Sequence, residues 1–291
     1  MGNIASPLRY PGGKTTLAGF LAGVIKANKM QDGIYAEPYA GGAGAAISLL
    51  LSEKVSRVVL NDKDRSIYAF WRAILNQTEQ FLDMLESTPV TVEEWRRQRE
   101  VYKNPRRHGQ LRLGFATFFL NRCNRSGIVV TGGPIGGQDQ KGKWKIDARF
   151  NRTTLRDRIE RIELYRERIE VHNLDALDFL RGVVRPITRK QNRCLVFLDP
   201  PYYAKGRDLY LNAYDHADHA ALARFLRRTR FFRWVLTYDN VSQIRDLYAT
   251  LDPQEFDLSY SAYERRTGRE LLIHDPRLSM PDQLPGSVSA A

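Results

Sequence analysis

The chain has 291 residues, 43% of them hydrophobic and 27% charged, the balance of a globular protein with a real core. No apolar run reaches the roughly 20 residues a membrane span needs, and the N-terminal stretch carries no apolar signal core. Only two cysteines occur, Cys123 and Cys194, which excludes a disulfide scaffold and a Cys-rich metal centre, so a cytosolic, metal-free protein is the expectation.

In chain order, Ala18 to Lys26 has a helical pattern, Gly33 breaks it, and Ile34-Tyr35-Ala36 begins a strand. A glycine-rich turn leads into a helix from Ala45 to Ser52. Val55 to Leu60 is a β-branched strand closed by Asn61-Asp62, and a helix follows from about Arg65 to Leu75. This βαβ rhythm implies a parallel sheet. Residues 76 to 168 differ: Arg-rich helical segments flank a Gly-dense, aperiodic stretch from Ser126 to Lys143 that reads as a loop or hairpin. After residue 169 the rhythm returns, with strands at Ile169–Val171, Cys194–Leu198, Trp234–Thr237 and Leu271–Ile273, and helices at Ala217–Thr229 and Gln243–Leu251. The fold expected is a Rossmann-like α/β domain formed by residues 1–75 and 169–275. Residues 76–168 are a mainly helical insert, and the Pro- and Ser-containing tail 276–291 is disordered.

The net charge is +12, and the whole excess falls between Arg96 and Arg168, where 19 basic residues face 7 acidic ones. Such a segment fits a surface that meets a polyanion. The sign alternation of residues 156–170 leaves open a solvated helical face.

Two motifs carry chemistry. Glu37-Pro38-Tyr39-Ala40-Gly41-Gly42-Ala43-Gly44 lies where a strand hands over to a helix, so its glycines permit a tight turn and close approach of a ligand to free helix N–H groups. Asp62 closes the next strand, 18 residues past Gly44, where a carboxylate accepts from ribose hydroxyls. The pair points to an adenosine-containing cofactor; nicotinamide and flavin enzymes share this geometry. The second motif is Asp199-Pro200-Pro201-Tyr202 after the apolar run Val196-Phe197-Leu198. Two prolines fix the backbone and donate no N–H, giving a rigid loop at the carboxyl end of a strand. Asp199 and the Pro200 carbonyl then form two acceptors suited to an exocyclic amine, and Tyr202 offers a face on which a planar base stacks.

With Leu8-Arg9-Tyr10-Pro11-Gly12-Gly13-Lys14, Asn61-Asp62 and Glu270-Leu271-Leu272-Ile273 added, the chain resembles the Dam-like (D12 class) DNA adenine-N6 methyltransferases over roughly residues 5 to 275. The resemblance implies an S-adenosylmethionine-dependent methyltransferase fold with an inserted target-recognition domain, acting on a flipped-out adenine in double-stranded DNA. A cognate restriction endonuclease and a bacterial or phage source are compatible with it. Asp199, Pro200, Pro201 and Tyr202 would form the catalytic loop. Tyr10, Lys14, Glu37, Pro38, Gly41, Gly42, Gly44, Asp62 and Asp175 would hold the cofactor, together with Asp199; a plain helix cap is the other reading of Asp175. Phe118 to Arg122 matches a segment that precedes a DNA-contacting hairpin, so Arg122, Arg125 and Ser126 are candidates for DNA contact, with Lys141, Lys143 and Lys145 on phosphate. Relatives that read GATC carry an aromatic-Asn pair where this chain has Arg125-Ser126, and Arg where it has Val130, so a GATC target is not expected. Relatives acting on cytosine N4 usually have Ser in place of Asp199; an RNA base or a DNA-binding protein without catalysis are the remaining alternatives.

The smaller features point to structure. Cys194 starts an apolar strand, His216 and His219 read as surface residues, and Trp71, Trp95, Trp144 and Trp234 read as packing residues.

Overall fold

The computed structural model describes residues 5–9, 17–191, 193–204, 214–260 and 266–282. The elements are α1 (Ala18–Ala27), β1 (Ile34–Glu37), α2 (Gly44–Leu51), β2 (Arg57–Asn61), α3 (Arg65–Asn76), α4 (Thr78–Ser87), α5 (Val92–Lys103), α6 (Gln110–Cys123), α7 (Arg152–Glu163) and β3 (Ile169–His172). They continue with α8 (Ala176–Phe179), a π turn (Leu180–Val184), α9 (Arg185–Lys190), β4 (Cys194–Leu198), α10 (His216–Arg228), β5 (Arg233–Asp239), α11 (Ser242–Tyr248), β6 (Gln254–Tyr260) and β7 (Arg266–His274).

The seven strands form one sheet in the order β3-β2-β1-β4-β5-β7-β6. The first five are parallel and β7 runs antiparallel between β5 and β6. Their short apolar runs explain the burial, because a parallel sheet is covered on both faces. Side chains alternate accordingly: Tyr35, Val58, Leu60, Leu195, Phe197, Val235 and Leu272 enter one core. Ile34, Ala36, Val59, Cys194, Val196, Leu198, Trp234 and Leu236 enter the other.

Residues 76–168 contain no strand. The Ser126–Lys143 stretch is closed by a single antiparallel bridge, Asn124 to Pro134, with Ile135 N–H donating to the Cys123 carbonyl at 2.8 Å. The helices of this segment share the core that α1, α2 and the sheet form: Phe81, Phe115, Phe118, Phe119 and Phe150 pack with Phe70 and Trp71 of α3. Gly114 makes the contact between α3 and α6 possible, since a Cβ there would lie 2.5 Å from the Ala69 carbonyl oxygen and 2.9 Å from the Phe70 Cα. A helix interior ordinarily gains up to about 1 kcal/mol from Gly→Ala, but here the clash with backbone dominates. Gly114→Ala is expected to destabilise the protein by roughly 1–3 kcal/mol, as measured by urea unfolding.

The tail departs from its expected disorder over residues 276–282. Arg277 pairs with Asp275 and donates to the Arg230 and Phe232 carbonyls, Leu278 is buried, and Ser279 exchanges two hydrogen bonds with Asn28. Composition hid this because Leu278 and Met280, which supply the packing, are sparse among Pro and Ser. Residues 283–291 lie outside the described residues. Strand β6 was also missed, although Phe256, Leu258 and Tyr260 alternate with polar residues in the sequence.

Candidate active site

Strand order reverses between β1 and β4, and the crevice outside the carboxyl ends of the strands at such a point is the usual ligand position in open α/β sheets. The glycine-rich turn follows β1. Gly41 (φ +45°) and Ala43 (φ +44°) adopt left-handed backbone, which lets the chain reverse into α2. Three bonds hold the turn: Gly41 N–H donates to Asp62 Oδ2 at 2.8 Å, Trp71 Nε1–H donates to the Gly41 carbonyl at 2.9 Å, and Ala40 N–H donates to the Asn61 carbonyl at 2.9 Å. Glu37 is buried beneath it, its Oε1 accepting from the Tyr35 hydroxyl at 3.0 Å and the Ala46 N–H at 3.2 Å. It thereby caps the first turn of α2 by accepting from one of its free N–H groups. Burial pushes the Glu37 carboxyl up to about 8, against the pull of those two hydrogen bonds.

The loop after β2 supplies Asp62, whose two oxygens accept from Gly41 N–H and from Asp64 N–H at 2.9 Å. Burial, then repulsion from Asp64, raises its carboxyl to about 7. Asn61, fully buried, joins three loops: its Nδ2 donates to the Pro38 and Leu174 carbonyls, and its Oδ1 accepts from Leu174 N–H. Asp175 caps α8 by accepting from Leu177 N–H at 3.0 Å, and its other oxygen pairs with Lys63 at 3.2 Å.

A group whose folded pKa is raised stabilises the fold below its unfolded value and loses that contribution as pH climbs through the folded value. For Glu37 the window runs from about 4.5 to about 8. Stability is therefore expected to fall across it, by up to about 1.4 kcal/mol per pH unit. Glu37→Gln should flatten that decline, leaving the smaller Asp62 contribution up to about 7; chemical denaturation at several pH values checks it.

The loop after β4 is pinned from β5 and β7. The Thr237 hydroxyl donates to Asp199 Oδ1 at 2.8 Å, and the Tyr202 hydroxyl donates to buried Glu270. Asp239, two residues beyond Thr237 on β5, takes the Tyr203 and Ala204 N–H groups on its two oxygens, both at 2.9 Å. Pro200 and Pro201 are buried, while Asp199 and Tyr202 are half-buried. Behind the loop lies an aromatic cluster. The hydroxyls of Tyr39 and Tyr214 are 2.9 Å apart, the rings of Tyr203 and His219 have centroids 5.0 Å apart, and the Tyr238 hydroxyl lies 2.7 Å from His219 Nδ1. His219 is therefore interior and not a surface residue, and burial lowers its pKa; His216 stays exposed.

The basic candidates divide. Arg122 is buried, donating through Nε to the Arg149 carbonyl at 2.8 Å and through a terminal nitrogen to the Pro7 carbonyl at 3.4 Å. Burial and the neighbouring Arg9 lower its pKa to about 9. Facing inward, it ties the helical segment to residues 5–9, which corrects its assignment to the DNA-facing surface. Arg125, Lys141, Lys143 and Lys145 are exposed, and Ser126 takes φ +55° beside Gly127. Part of the surrounding charge is paired within helices, as in Arg97 with Glu94, Lys103 with Glu100 and Arg156 with Glu160, the solvated-face pattern. Tyr10 and Lys14 lie outside the described residues. Asn121 clamps the residue before them, its amide exchanging two bonds with the Arg9 backbone and donating to the Gly127 carbonyl.

Sequence reasoning missed Thr237, Asp239, Trp71 and the joining role of Asn61. Thr237 and Asp239 share one side of β5, a period-two spacing that could have flagged them beside Asp199. Trp144, unlike the packing residue its sequence suggests, is 66% exposed, while Trp71, Trp95 and Trp234 are buried.

The sequence profile of the D12 class N6 adenine-specific DNA methyltransferase family matches residues 10–267. The match spans most of the chain, which therefore belongs to that family. No curated protein matches the chain.

Proposed function

We propose that this D12-class enzyme transfers a methyl group from S-adenosylmethionine to N6 of a specific adenine that has been turned out of double-stranded DNA. The observation that supports the reading best is the Asp199–Tyr202 loop, held rigidly at the carboxyl end of β4 across the crevice from the glycine turn. The cofactor fits the crevice on its polar groups. Asp62 spends one bond of each oxygen on Gly41 and Asp64, and a carboxylate has about four acceptor positions, so ribose hydroxyls can still be accepted. Glu37, Pro38, Gly41, Gly42 and Gly44 of the turn, together with Asp175, would hold the cofactor, and the family resemblance adds Tyr10 and Lys14, which lie outside the described residues. When bound, the cofactor supplies an electrophilic methyl on a sulfonium.

The chain's own part is positioning and charge. The adenine amine is a weak nucleophile because its lone pair is delocalised. Asp199 and the Pro200 carbonyl accept its two hydrogens, favouring a pyramidal nitrogen with its lone pair aimed outward, and Asp199 stabilises the positive charge that develops there. Thr237 sets the carboxylate plane. Tyr202, anchored through its hydroxyl to Glu270, offers its face to the base. A base inside a duplex cannot reach this loop, hence extrusion. Residues 76–168 form the target-recognition part, with Arg125, Ser126 and the three lysines toward DNA and exposed Trp144 among those lysines as a further contact.

Transfer of labelled methyl to unmethylated genomic DNA, followed by nucleoside analysis and mapping of modified positions, tests the reading. N6-methyladenine in a fixed short context is the expected product. Modified cytosine, or transfer to RNA alone, would overturn it.

A further inference from the structure

Outside residues 96–168 the charges of the chain cancel, yet two segments there are wholly basic. Residues 181–193 and 224–233 hold ten Arg and Lys and no Asp or Glu. The fold brings them together on the sheet face opposite the 76–168 helices. The first runs through the π turn and α9 toward β4; the second is the end of α10 and the turn into β5. Between them is an open groove of about 370 Å³ lined by Arg181, Arg224, Phe225, Arg228, Thr229 and Phe231.

Its chemistry is that of an anion site. Among the described residues no carboxylate pairs with Arg181, Arg185, Arg224 or Arg228. Two guanidiniums lie over rings, Arg181 with its Cζ 5.4 Å from the Phe225 centroid and Arg185 at 3.9 Å from that of Phe231, itself 45% exposed. A guanidinium held on a ring keeps its N–H fork in plane and pre-organised for paired phosphate oxygens. Thr229 is buried, and its Oγ1, like Arg185 Nε, has no hydrogen-bond partner among the described residues. A buried hydroxyl and a buried N–H in a cationic wall are groups that a bound oxyanion satisfies.

We propose that this groove is a second nucleic-acid site, which takes the phosphodiester backbone of a DNA segment other than the one whose base enters the crevice. The proposal rests on the reading that the substrate is DNA. The two sites are at opposite ends of α10: His216 sits beside the catalytic loop, its Nδ1 3.2 Å from the Tyr203 hydroxyl, and Arg228 is in the groove. Its 13 residues separate them by about 20 Å. Ring-stacked arginines present donors and not bare aromatic platforms, which favours backbone phosphate over a stacked base.

Two short duplexes carrying different fluorophores, mixed with the full-length protein, report whether one molecule holds both. The test variant combines Arg181→Gln, Arg224→Gln and Arg228→Gln, three exposed side chains. The wild type should join the two duplexes, with a salt dependence steeper than single-duplex binding by about one log–log unit for each phosphate engaged. The variant should lose the second duplex at least about tenfold, melt at the wild-type temperature, and methylate a single short duplex as the wild type does. A wild-type protein that never holds two duplexes, or a variant that still does, overturns the proposal. So does polyglutamate occupying the groove where DNA does not, which would mark an acidic-protein surface. Methyl transfer to the short duplex reports on the enzymatic reading separately: its absence with the second duplex still bound would sink that reading alone.

Discussion

Asp199→Ala is expected to lower methyl transfer by at least roughly 10²–10³-fold while binding of DNA and of S-adenosylmethionine stays within a few-fold. Removing the carboxylate deletes an acceptor for the amine hydrogens and the negative charge opposite the nitrogen as it becomes cationic. It also leaves the Thr237 hydroxyl without the oxygen it now donates to, at 2.8 Å. Asp199→Asn keeps a carbonyl acceptor and the shape but loses the charge, so its rate should fall between the two. Single-turnover methylation with saturating cofactor separates the chemical step from binding. Near-normal turnover in the Ala variant would remove Asp199 from the mechanism.

The second large effect is expected at Asp239, which touches no reacting atom. Its two oxygens hold the Tyr203 and Ala204 amides, the first residues after the Asp199–Tyr202 loop. Asp239→Ala releases the downstream end of a loop whose upstream end is fixed by Pro200 and Pro201. Displacement by about 1 Å is enough to cost roughly 10²-fold in rate. The unfolding free energy should fall by only about 1–3 kcal/mol, because the loop is part-exposed and the two amides can turn to water. The loss should appear in kcat with KM for the cofactor unchanged, and Asp239→Asn, which retains one acceptor oxygen, should recover part of it. A loss confined to stability, with kcat intact in the folded fraction, would reduce Asp239 to a structural tie.

The legible and illegible parts of the molecule differ for physical reasons. The strand at Cys194–Leu198 and the glycine turn are local signals, an apolar run ended by prolines and a cluster of small residues, and both stand where their sequence indicates. Asp62 was legible because only α2 and β2 separate it in sequence from the turn it supports. Thr237, Asp239 and Glu270 sit on strands distant in sequence and meet the catalytic loop only through the order β4-β5-β7, which no local pattern encodes. Arg122 shows the reverse limit: an arginine in a basic stretch reads as surface, whereas α6 is buried along nearly all its length and turns it inward. His219 is concealed for the same reason, one helical turn from an exposed histidine. The two basic segments that flank the groove, with ten Arg and Lys between them, were invisible in the charge total because acidic residues elsewhere cancel them.

The aromatic layer in which Phe81, Phe115, Phe118, Phe119 and Phe150 meet α3 has a consequence for engineering. A chimera that exchanged residues 76–168 wholesale for a relative's would strip one wall from the host sheet and bring in a wall fitted to another. Gly114, with no room for a single methyl, shows how little tolerance that seam has. Grafts confined to residues 124–149 would leave the aromatic layer in place, provided that Ile146, which packs into the same core, and the bonds from Trp95, Arg99, Asn121 and Arg122 are kept. On the proposal that residues 76–168 read the target, variants with altered sequence preference are to be sought by diversifying this loop on an unchanged scaffold.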